Sequence, residues 1–125
     1  MRLREPVVAI VGVCAAGKTT LAAGLNAAGI RAYSVPQEHS VVRRLWKHLH
    51  PDANILVMLD ARWETARRRR PEIRYGPERL EEQRRRLAYA RAECDLYLPT
   101  DDLSIEEVRQ RVLAFIETWK EKERT

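Results

Sequence analysis

Two glycines, Gly12 and Gly17, separate an unbroken apolar run from a helix-forming segment, with Lys18 and Thr19 directly behind the second glycine. Residues 6–11 are apolar and mostly β-branched, as a strand buried on both faces requires. Residues 20–28 set Leu21, Leu25 and Ala28 on one helical face, with Gly29 as the stop. A strand, a glycine turn and a helix in that order turn successive backbone N–H groups toward one point. The dipole and free N–H groups of the helix start face the same point. Such a turn is a cradle for an anion.

The spacing fits G-x-x-x-x-G-K-S/T, the loop that wraps nucleotide phosphates. In that pattern Gly12, Ala15, Ala16 and Gly17 bring main chain close to the phosphates. Lys18 places a compact charge at the β- and γ-phosphates, and Thr19 offers its hydroxyl to Mg²⁺. Thr20 adds a second hydroxyl for the α-phosphate. The expected ligand is a nucleoside triphosphate, ATP with Mg²⁺.

With 125 residues the chain is expected to form one domain over residues 1–125. No apolar run is long enough to span a bilayer. The Arg-bearing start leads into the first strand without a signal-peptide pattern, so a cytoplasmic protein without a membrane partner is expected. Two cysteines, Cys14 and Cys94, do not make a disulfide framework. Cys14 is either a reactive thiol at a helix start or a small residue the loop tolerates. The net charge of +5 suits a polyanionic ligand and leaves a nucleic-acid surface as a lesser alternative. That alternative lacks interleaved exposed aromatics.

Further along, residues 30–35 read as a second strand. Ser40 reads as the cap of a helix carrying Val41, Val42, Leu45, Trp46 and Leu49. Residues 53–60 form another apolar run, ending in Asp60. Residues 61–70 predict a short arginine-rich helix stopped by Pro71, and 77–94 a longer solvated one with Glu81/Arg85 and Glu82/Arg86 pairs. A last strand covers 95–99. Ser104 and Glu107 then make a capping box for a helix striped by Ile105, Val108, Val112, Phe115, Ile116 and Trp119, whose charged end at 120–125 is expected to fray. Alternating strands and helices imply an α/β three-layer sandwich: a short, mostly parallel sheet of about four strands with helices on both faces. Ligands of such sheets bind at the carboxyl edge of the strands. There the polar segments 37–39, 60–62 and 100–102 meet the phosphate loop.

The phosphate loop with Thr20, the stretch from Ile55 through Asp60 and Glu64 to Arg70, and the stretch from Ala92 to Ser104 resemble the P-loop kinases of nucleotides and small molecules. That group includes adenylate, thymidylate, shikimate and gluconate kinases. The resemblance implies a phosphotransferase using ATP and Mg²⁺ on a small hydroxyl or phosphate acceptor. It makes Glu38, at the end of the second strand, a general base or a metal partner. Asp60 is either a carboxylate near Mg²⁺ or a helix cap. The run Arg67 to Arg70 spans a helical turn, so no more than two of its members can face one ligand. The family pattern favours Arg69, with Arg67 also a nucleotide candidate and Arg74 and Arg91 behind them. Thr100 and Asp101 lie where the family's loop passes the base, or simply form a strand-to-helix turn. Gln37 and His39 flank Glu38 and can meet an acceptor, although strand alternation puts them on the other face.

These kinases usually run longer, with five core strands, an acceptor-binding insertion and a fuller lid. Here residues 62–91 are the only room for a lid. The acceptor is therefore small or held across a homo-oligomer interface, or the chain is a nucleotide-binding or slowly hydrolysing regulatory module with no acceptor. The absence of N-K-x-D and D-x-x-G argues against a signalling GTPase. Asp60 has no following Glu, which argues against a motor-type ATPase.

Overall fold

The structure is a computed structural model that describes residues 3–124. Met1, Arg2 and Thr125, which the single-domain and chain-end expectations included, lie outside the described residues. Four strands, β1 (Val7–Gly12), β2 (Arg31–Ser34), β3 (Ile55–Asp60) and β4 (Leu96–Pro99), form an all-parallel sheet in the order β2-β1-β3-β4. The helices are α1 (Lys18–Ala27), α2 (Leu45–Leu49), α3 (Trp63–Arg69), α4 (Pro77–Arg86), α5 (Ala88–Glu93) and α6 (Ile105–Arg124).

All of β1 is buried, and β3 is buried up to its last residue, so both faces of the central sheet are covered. The chain leaves β1 toward β2 in one direction and β3 toward β4 in the other. Right-handed crossovers in opposite directions put their helices on opposite faces, consistent with a three-layer sandwich. On one face α1 packs against α6. Leu25, Val112 and Ile116 are fully buried, as are Leu80, Leu87 and Ala90 of the segment spanning α4 and α5. Each such leucine, isoleucine or valine side chain contributes about 1.5–3 kcal/mol.

The strand order reverses between β1 and β3, where Gly12 pairs with Leu59. A parallel sheet opens a crevice at such a point. The loops that follow Gly12 and Asp60 therefore flank it.

Three local expectations give way. The helix expected from Ser40 is shorter: Gln37 donates from Nε2 to the Val42 carbonyl and accepts from the Leu45 amide, holding the intervening residues as a loop. Helix α2 then starts after Arg44, which sits at φ 53°, and Val41 is left 86% exposed. The long helix over 77–94 breaks at Leu87, and Glu81 pairs with Arg84 instead of Arg85. Helix α6 continues in register to Arg124, and Ile105 of its apolar stripe is exposed. The Ser104–Glu107 capping box forms with two reciprocal 3.0 Å bonds. Among the described residues no helix is long and apolar enough to cross a membrane.

Candidate functional site

The loop between β1 and α1 is held open by unusual backbone. A Cβ on Gly12 would run into the Leu59 carbonyl oxygen, so β1 and β3 approach this closely only because residue 12 is glycine. Ala15 and Gly17 take positive φ of 65° and 104°. For alanine that conformation costs free energy and persists only where surrounding structure imposes it. Gly17 is the N-cap of α1, and among the described residues no side chain caps it. The first amides of α1 therefore keep their hydrogen-bonding capacity for something outside the helix.

Lys18 folds back over this loop. Its Nζ donates to the carbonyls of Gly12 at 2.9 Å and Val13 at 3.2 Å, and to Glu38 Oε2 at 2.6 Å. Glu38 lies on a short 3-10 turn, Gln37–His39, that follows β2. Its side chain is 5% exposed, and its other oxygen, Oε1, is buried with no hydrogen-bond partner among the described residues. Leaving a carboxylate oxygen buried and unmatched costs about 1–3 kcal/mol or more. Helix α4 props both pieces. Gln83 accepts from the Cys14 amide at 2.9 Å, and Arg86 donates to the Glu38 carbonyl at 3.2 Å.

Arg69, at the end of α3, ties the loop to β4: it donates to the Ala15 carbonyl at 2.9 Å and to the Thr100 hydroxyl and carbonyl at 3.0 and 2.6 Å. Thr100, itself buried, donates to the Ala16 carbonyl at 3.0 Å. Both residues thus hold the loop between β1 and α1 in place.

Two cavities flank the loop. One, of about 510 Å³, lies beside Gly17, Thr20 and Arg69 and is floored by Leu103, Ile105 and Val108. The other, of about 450 Å³, is lined by Lys18, Thr19, Ser34, Glu38, His39 and Arg70. The first has an apolar floor that suits a planar base. The second brings hydroxyls, a carboxylate and cations together beside Lys18.

Other candidates sit elsewhere. The carboxylate of Asp60 is engaged by the Tyr97 hydroxyl at 2.5 Å, by Arg84 at 3.3 Å and by the Ala61 amide at 2.9 Å, so it faces its own neighbours and not either cavity. Burial and then this bond push Tyr97 up to about 12. Asp101 accepts from the Arg62 amide and the Thr65 hydroxyl, bracing the start of α3. Burial opposes its charge, but those bonds and Arg62 together hold it below the usual carboxylate range. Arg67 lies in a surface cleft with Trp63 and Pro71. Arg91 stacks on Tyr97 and Arg74 lines a cleft with Glu78 and Glu82. Gln37 serves its own loop, and the 3-10 turn, not strand alternation, decides which of residues 37–39 face the cavity.

Gln83 escaped the sequence reading, and Arg70 is a member of the Arg67–Arg70 run that the family pattern does not favour. Arg70 lines both cavities because the chain leaves helical geometry there, at φ −131°, so a helical wheel misplaces it. Gln83 had a signal: it lies between Leu80 and Leu87 at helical spacing and is 1% exposed like them. No protein-family model and no curated protein matches the sequence.

Proposed function

We propose that this chain is a minimal P-loop phosphotransferase that binds ATP with Mg²⁺ on residues 12–20 and passes the terminal phosphoryl group to a small hydroxyl or phosphate acceptor. The observation that carries the reading is the Lys18–Glu38 arrangement at an uncapped helix start, with a cavity on each side of the loop.

The residues fit the ligand. Unclaimed amides at the start of α1 and the charge of Lys18 suit phosphate oxygens. The unmatched Glu38 Oε1 and the exposed hydroxyl of Thr19 are hard oxygen donors of the kind Mg²⁺ prefers. Bound Mg²⁺ would screen charge on the transferring group. Lys18 exchanges Glu38 for phosphate, and that exchange frees the carboxylate, which lines the second cavity, to orient an acceptor or take its hydroxyl proton. Arg70 lines both cavities, where a guanidinium would neutralise migrating charge. Arg69 and Thr100 hold the loop's shape. Asp60 braces the sheet edge through Tyr97 and Arg84.

The test is ADP production against a panel of small hydroxyl and phosphate compounds. Acceptor-stimulated release is expected, and Glu38→Gln should lower it by about 10²–10⁴-fold while leaving ATP bound. A slow rate indifferent to every acceptor would instead favour a nucleotide-binding regulatory module.

A further inference from the structure

Next to the phosphate loop lies a group of side chains that phosphoryl transfer does not use as a set. Cys14 Sγ stands 3.7 Å from His39 Nε2, and His39 Nε2 stands 3.7 Å from Glu38 Oε2. One ligand atom from each of the three lies within 4.8 Å of the others. We propose that Cys14, Glu38 and His39 form a three-residue site for a thiophilic divalent ion, with Zn²⁺ as its type.

The distances suit such an ion. Zinc bonds of about 2.3 Å to sulfur and 2.0–2.1 Å to nitrogen at a tetrahedral angle place the two atoms roughly 3.6 Å apart. Thiolate with imidazole selects zinc-like ions over Mg²⁺ or Ca²⁺. Glu38 supplies an independent sign of a missing partner. Its side chain is 95% buried; Lys18 holds Oε2, the oxygen 3.7 Å from His39, and Oε1 of the same carboxylate has no partner among the described residues.

Charge balances as well. Thiolate and carboxylate together neutralise a divalent ion and leave Lys18 as the surplus cation. Ligation breaks the S–H bond of Cys14, and its proton passes to solvent as the S–metal bond forms. An outer partner is present: Gln83 Nε2 donates to Cys14 Sγ at 3.2 Å, an arrangement that orients the sulfur and stabilises negative charge on it. His39, with its side chain 57% exposed, gives the ion a way in from the second cavity. Three protein ligands leave a fourth position open, as in catalytic and not structural zinc sites.

The test uses the full chain without nucleotide, so it does not depend on the phosphotransfer reading. Zn²⁺ is titrated against a chelating dye and Co²⁺ is followed by absorption, for the parent, Cys14→Ser and His39→Ala, each checked for folding by circular dichroism. One Zn²⁺ per chain is expected, together with thiolate-to-cobalt charge-transfer absorption. Each substitution should weaken Zn²⁺ by more than about tenfold, and Cys14→Ser should remove the charge-transfer band. No Zn²⁺ binding by the parent, equal affinity in all three proteins, or a Co²⁺ spectrum without thiolate character would overturn the site. His39 is exposed, so its variant remains informative if Cys14→Ser does not fold.

Discussion

Lys18 Nζ lies 2.6 Å from Glu38 Oε2, and the two side chains are only 10% and 5% exposed. They come from the start of α1 and the turn after β2, so one ion pair closes the β1–α1 loop against the neighbouring strand's exit. Cutting a buried pair on one side leaves an uncompensated charge, which costs about 3–5 kcal/mol. Lys18→Ala should therefore lose roughly that much stability in denaturant unfolding without ligand. The double variant Lys18→Ala/Glu38→Gln should recover a good part of it. Simple addition of the two single losses would show that the pair is not coupled.

The two loop glycines should fail in different ways. Gly12→Ala pushes a methyl into a main-chain oxygen that cannot swing aside, so a loss of about 2–3 kcal/mol is expected. Gly17→Ala meets nothing within 4 Å and suffers only from its φ of 104°, a cost of about 1–2 kcal/mol. Urea unfolding of both variants ranks them, and the reverse order would mean that the loop is shaped differently.

Much of this was legible from residue pattern alone. The unbroken apolar, mostly β-branched run before Gly12 and the stripe of Val108, Val112 and Ile116 leave few alternatives to a buried strand and a one-sided helix. The Ser104–Glu107 cap is local chemistry and forms where the spacing predicts. What pattern could not show depends on long-range contacts. The apolar residues after Ser40 look helical until Gln37, reaching back from a buried turn, claims their backbone groups. Asp60 ends its strand as a metal carboxylate would, and only the neighbouring β4 brings Tyr97 onto it. Glu38 and Lys18 are twenty residues apart, and their pairing follows from β2 lying beside β1.

The Tyr97–Asp60 bond gives stability a signature in alkali. Tyr97 is raised from 10.0 to about 12, first by burial and then by Asp60. The folded protein thus keeps the phenol proton where the unfolded chain has released it. Its contribution is complete below about pH 10 and is lost as pH rises toward about 12. Tyr97→Phe should be less stable at neutral pH through the lost hydrogen bond, by about 1–3 kcal/mol. It should also fall less steeply than the parent across that alkaline window. Parallel pH–stability curves for the two proteins would rule this out.

Calorimetric titration of ATP with Mg²⁺ into the parent chain and into Lys18→Ala asks the central question most directly. One nucleotide per parent chain is expected, with affinity at least about a hundredfold weaker in the variant, a loss of roughly 2.7 kcal/mol. Equal affinity in the two proteins, or no binding by the parent, would contradict the account.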